Sequence, residues 1–68
     1  MSVVKVIEVI SEGSTIEDAM KNAVTEASKT VKLIKQINVE HIEALVENDK
    51  LTKFRVNSKI SFLVKHES

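Results

Sequence analysis

The sequence predicts an α+β domain of order β-α-β-β, with one helix packed on a three-stranded mixed antiparallel sheet of strand order 1-3-2. Three observations carry this expectation. The run "SVVKVIEVI" alternates with the period of a strand, apolar residues recur every three or four positions from Ile16, and two further alternating runs flank the polar turn "ENDK". A right-handed crossover through the helix makes the first two strands parallel, and the hairpin then places the last strand antiparallel between them.

The first strand puts Val3, Ile7 and Val9 on one face and Val4, Val6 and Ile10 on the other. A helix covers only one of these faces. The second therefore predicts contact with another copy of the chain, or else a strand with a partly exposed apolar face. Size points toward the copy. A chain of 68 residues buries only about 60% of the surface its unfolded form exposes. There is no cysteine, and His41 and His66 are the only histidines, so neither a disulfide nor a dedicated zinc cluster supports the core. Self-association is the remaining route to stability.

Next, "SEGSTIED" carries the only glycine, Gly13, and a helix start. Ser14 is the expected cap, with Glu17 reaching back, and the helix is expected from about Thr15. Ile16, Met20, Ala23, Ala27, Val31 and Ile34 form the apolar stripe, widened by Ala19, Val24 and Thr30, over about five turns. Glu17, Lys21, Glu26 and Lys29 form the opposite, charged face. Met20 reads as core filling rather than as a ligand.

In the hairpin, Asn48 and Asp49 tolerate the left-handed backbone of a tight turn. The last strand alternates, with Phe54, Val56, Ile60, Phe62 and Val64 inward and Lys53, Arg55, Asn57, Lys59 and Ser61 outward, and Ser58 interrupts the inward face. The strand before the turn changes parity: Ile37 and Val39 share one face, Ile42, Ala44 and Val46 the other. That change predicts a bulge or bend near Glu40 and His41.

Composition narrows the function classes. Ten basic and ten acidic residues cancel, which argues against general affinity for nucleic acid or an anionic membrane. With Phe54 and Phe62 as the only aromatics, stacking platforms for bases are scarce. No segment reaches the length of a membrane span and the first ten residues lack a leader's apolar run, so a soluble, cytoplasmic protein is expected. No cysteine nucleophile, glycine-rich phosphate loop or Ser/His/Asp set is present, so the chain is not expected to be an enzyme. His41 and Glu43 share a strand face beside Glu40, a pattern suited to weak metal binding or to a solvated histidine. Glu40, Glu43, Glu47 and Asp49 would surround a calcium ion only if symmetry gathered several copies, and spacing alone assigns no metal ligand. Arg55 offers a planar fork of donors suited to a carboxylate, a phosphate or the carbonyl edge of a heterocycle. Its expected partner within the chain is Glu43 or Glu47 across the hairpin.

"KVIEVI", the Ser-Glu-Gly-Ser turn, "TIEDAMKNAVTEASKTVKLIKQINV" and "KFRVNSKISFLV" together resemble the dodecins along essentially the whole chain. The resemblance implies the β-α-β-β fold and a hollow homododecamer. It also implies a small-ligand binding and storage function, with flavins (riboflavin or FMN) held in pairs between subunits. In flavin-binding members a tryptophan stacks on the ring and a glutamine of the last strand bonds its polar edge. The tryptophan position falls here on Gln36 and the glutamine position on Arg55. Gln36, Asn38 and Arg55 are thus the candidate ligand residues, in a site with weakened affinity for flavin. The chain also resembles a branch without the stacking tryptophan, for which the implication is a flavin-independent structural or calcium-binding assembly.

Overall fold

The computed structural model describes residues 3–64, and His66 lies outside them. Strand β1 spans Val3–Gly13, helix α1 Ile16–Ala27, strand β2 Ile34–Glu47 and strand β3 Lys50–Val64. The sheet has the order β1-β3-β2, and β3 is antiparallel to both neighbours. This is the expected topology, with β1 and β2 parallel across the helical crossover.

Register assigns every side chain to a face. Ile7 lies opposite Ile60 and Val9 opposite Ser58, while Ile37 also meets Ile60 and Val39 meets Ser58. These residues face α1, where Ala23, Ala27 and Ile60 form the core with Ile7, Val9, Ile34 and Ile37 packed around it. Small residues on the helix let its backbone lie close to the sheet, so a narrow core is filled by the β-branched side chains of three strands. Ser58 is fully buried in this apolar layer, and its hydroxyl donates to the Val9 carbonyl at 3.4 Å, which satisfies an otherwise costly polar group.

The helix differs from expectation at both ends. Thr15, not Ser14, is the cap: its Oγ1 accepts from the Asp18 amide at 3.0 Å. Ser14 Oγ instead donates to the Asp18 carboxylate at 2.8 Å, so no capping box with Glu17 forms. Residue spacing alone does not distinguish two adjacent hydroxyl caps. At the other end α1 stops at Ala27, giving about three turns rather than five. Ser28 Oγ donates to the Thr25 carbonyl at 2.7 Å, the amides of Thr30 and Val31 both reach back to the Ala27 carbonyl, and Leu33 takes a left-handed φ of 60°. Hydroxyl and β-branched residues are weak helix formers. Ile34 still reaches the core, but from an extended chain.

Gly13 sits where β1 meets the helix start. A Cβ there would lie 2.5 Å from the Ala19 nitrogen and 2.8 Å from the Asp18 carbonyl carbon, so close backbone approach, not an unusual φ, demands glycine. Gly13→Ala is expected to lower stability by roughly 1–3 kcal/mol through forced separation of strand and helix, read as a lower denaturant midpoint at unchanged slope. An unchanged midpoint would show that the strand end moves freely.

Beyond the Gly13–Phe54 pair, β1 ends and only β2 and β3 continue, turning at Asn48 and Asp49, both at positive φ (51° and 64°). The result is a projecting two-stranded arm on a subunit 57 Å long and 13 Å thick. Two-stranded hairpins are marginal in water. Ile42, Val46 and Leu51 are exposed on or beside this arm.

Candidate functional site

The bulge expected near Glu40 and His41 is present as a register shift between Val39 and His41. Its effect is to swap parity, so that Ile42 and Ala44 face the helix side while His41 and Glu43 join Gln36 and Asn38 on the opposite, helix-distal face. Cross-strand pairing completes that face. Val6 lies opposite Ser61 and Ser61 opposite Gln36; Glu8, Lys59 and Asn38 form the next row; Ile10, Asn57 and His41 the next; Glu12, Arg55 and Glu43 the last. The three candidate ligand residues therefore share one surface.

They are not neighbours on it. Gln36 is aligned with Ser61 and Arg55 lies six residues along the same strand, about 20 Å away at roughly 3.3 Å per residue. Asn38, aligned with Lys59, is about 13 Å from Arg55 on the same scale. Val4, Val6 and Ile10 remain on this face at 60%, 53% and 64% exposure, which identifies the even-numbered side of β1 as the one the helix leaves open.

Two carboxylates organise the polar groups. Glu12 bridges Arg55 and Lys53: its Oε2 accepts from Arg55 Nε at 2.9 Å and Nη2 at 2.6 Å, and its Oε1 accepts from Lys53 Nζ at 3.0 Å. Glu40 bridges Lys59 Nζ at 3.1 Å and Asn38 Nδ2 at 3.1 Å. The partner of Arg55 is thus Glu12 of β1, not Glu43 or Glu47 of the hairpin. Glu43 sits directly opposite Arg55 in register but on the other flank, where it acts only through its field. Sequence reasoning missed Glu12. Its even parity with Val6, Glu8 and Ile10 was visible, but the pairing of β1 with β3 spans more than 40 positions and sets which residue it meets.

Hydrogen bonding to Arg55, and then to Lys53, holds the Glu12 carboxyl below the ordinary carboxylate range, and Glu12 in turn raises the Arg55 guanidinium. A depressed carboxyl stabilises the fold above its unfolded value, about 4.3, and loses that contribution as pH falls through the folded value. The stability difference between the native chain and Glu12→Gln is therefore expected to be complete at neutral pH and to shrink below about pH 4. Thermal midpoints across that range test this; a difference independent of pH would mean that the ion pair adds nothing.

Among the described residues, no three His, Cys, Asp or Glu side chains stand together as a metal site, and no helix is long and apolar enough to cross a membrane. On the helix side, α1 covers β1 and β3 more than β2, which leaves a groove of about 480 Å³ along Met20, Val24 and Ile37.

A thin chain with one open apolar strand face, a two-stranded hairpin arm and a polar face spread over about 20 Å is an α+β unit that leaves much apolar surface uncovered by its own helix. The dodecin family model matches residues 3–65, and the chain belongs to that family. Among solved structures, a Thermus thermophilus protein superposes with a TM-score of 0.91 at 19% identity, covering 98% of this chain and 100% of that one. An arginine-to-alanine mutant of Thermus thermophilus dodecin gives 0.90 at 19% identity over 97% and 100%. Dodecin from Streptomyces coelicolor gives 0.88 at 24% identity over 97% and 96%. The search of curated proteins returned no match.

Proposed function

We propose that this chain is a homododecameric small-ligand binding and storage protein whose site lies between subunits on the helix-distal face and takes a flavin, riboflavin or FMN, with reduced affinity. The observation that carries this reading is the placement of Gln36, Asn38 and Arg55 on one face but up to about 20 Å apart. A planar ligand contacts Gln36 and Arg55 together only if they come from different copies, so the site is incomplete in one chain.

The residues fit the polar part of such a ligand. Arg55 spends Nε and Nη2 on Glu12, which leaves Nη1 to donate to a ring carbonyl. Gln36 is exposed and both donates and accepts. They fit its π surface less well, since among the described residues no Phe, Tyr or Trp lies on this face and base-like stacking is worth about 1–3 kcal/mol per contact. A flavin held here loses the close electron donor that efficient quenching requires. Binding and sequestration, without catalysis, is the chemistry this face supports.

The second reading is a flavin-independent structural assembly, favoured by the absence of a stacking residue and by the engagement of Arg55 with Glu12. Calcium would then need carboxylates from several copies, with Glu40, Glu43, Glu47 and Asp49 as the candidates. The deciding experiment is fluorescence titration of riboflavin and FMN with the assembled protein, whose size is first fixed by light scattering. Saturable binding at one flavin per two or fewer subunits supports the storage reading. No binding at high micromolar protein moves the assignment to the structural assembly, with metal analysis as its test.

A further inference from the structure

We infer that Glu12 is the positioning and specificity residue of this face: it fixes which edge of Arg55 is offered to a ligand and selects neutral, carbonyl-bearing rings over phosphorylated ones. The inference rests on the ligand site proposed above. Its basis is the construction around Glu12. The Glu12 backbone is anchored to the helix, because Asn22 Nδ2 donates to the Glu12 carbonyl at 2.8 Å. The residues on either side are also held: Ser11 Oγ donates to the Ala19 carbonyl at 2.6 Å, and Gly13 lies against the Asp18 and Ala19 backbone. No long loop separates this carboxylate from the core. Its side chain then takes both Arg55 and Lys53, the two cations nearest that end of the face.

Two consequences follow. Geometrically, Nε and Nη2 converge on one carboxylate oxygen, so the guanidinium plane is set by β1 and the edge formed by Nη1 and the second Nη2 hydrogen is free. A guanidinium held in place loses less rotamer freedom when it bonds a carbonyl. Electrically, Arg55 and Lys53 bring two positive charges, while Glu12 and Glu43, which flanks Arg55 on β2, bring two negative ones. The end of the face is neutral. It is therefore a poor seat for a phosphate monoester, although an arginine and a lysine side by side would otherwise make a good one.

The test compares wild type, Glu12→Gln and Glu12→Asp by titration with riboflavin and FMN, and follows the Arg55 Nε–H signal by NMR. Glu12→Gln keeps the shape and removes the charge. It is expected to shift the ratio of FMN to riboflavin affinity toward FMN by roughly tenfold, the effect of one nearby unit charge at a partly exposed site. Glu12→Asp keeps the charge and shortens the reach, so the ratio stays near wild type while the Arg55 signal loses its protection from exchange. A ratio unchanged within twofold in Glu12→Gln, with both flavins bound, overturns the inference and leaves the flavin site standing.

If neither flavin binds any of the three proteins, the flavin reading falls and inorganic phosphate takes over as the probe. Roughly tenfold tighter phosphate binding to Glu12→Gln than to wild type, seen at Arg55, supports the role of Glu12. Equal phosphate binding overturns it.

Discussion

Gln36→Trp is expected to raise riboflavin affinity by roughly a hundredfold and to quench the bound flavin. Two copies meeting at one ligand would each contribute a stacked ring worth about 1–3 kcal/mol, and each 1.4 kcal/mol is tenfold in affinity. The position accepts the change. Gln36 is exposed and its cross-strand partner is the small Ser61, so an indole there covers the sheet without displacing the core. Adding Arg55→Gln restores a group that both donates and accepts, while Glu12 keeps Lys53 as a partner. Fluorescence titration of the single and double variants is the measurement. Weak binding in both, in an intact assembly, would show that Gln36 does not face the ligand.

Val4→Lys is expected to dissolve the assembly and leave a subunit that melts at least roughly 10 °C lower. Val4 is 60% exposed on the helix-distal side of β1, so a lysine there costs a lone subunit little, and any large loss reads the interface. It is a cleaner probe than Val6, which shares the row of Ser61 and Gln36 and would disturb the proposed site as well. Light scattering and thermal denaturation report the outcome together. A stable, folded monomer would remove the argument that a chain with this small a core depends on its copies.

The parts of the fold legible in the sequence are those set by local periodicity. Alternation in β3 names the inward residues one by one, and the helix-facing parity of Ile7 and Val9 follows from their spacing once one of them is placed. The parity change between Val39 and Ile42 reads as a bulge because a strand cannot otherwise turn both groups to the same side. Where local signals overlap, the reading fails. Val31 and Ile34 continue the helical spacing of α1, yet they lie beyond Ala27 in non-helical chain, since a spacing of three or four positions does not reveal when Ser28 and Thr30 let the helix end. Ser14 and Thr15 offered two caps, and only the path of the chain into the helix selects Thr15.

The candidate site divides along the same line. Gln36, Asn38 and Arg55 lie on a common outward face by parity and bulge alone, while the family resemblance was legible in segments spread along the chain and not in Gln36 or Arg55, which replace a tryptophan and a glutamine of its flavin-binding members. The partner of Arg55 was not, because Glu12 is 43 positions away in sequence and long-range register depends on how three strands and a helix pack at once. By itself, the sequence determined the element order, the inward residues of β3 and the two apolar faces of β1. Only the tertiary structure decided which face of β1 stays open, which carboxylate holds Arg55, and how far apart the candidate ligand residues lie. Each of these is a distance between segments remote in the chain, and such distances follow from packing rather than from local conformational preference.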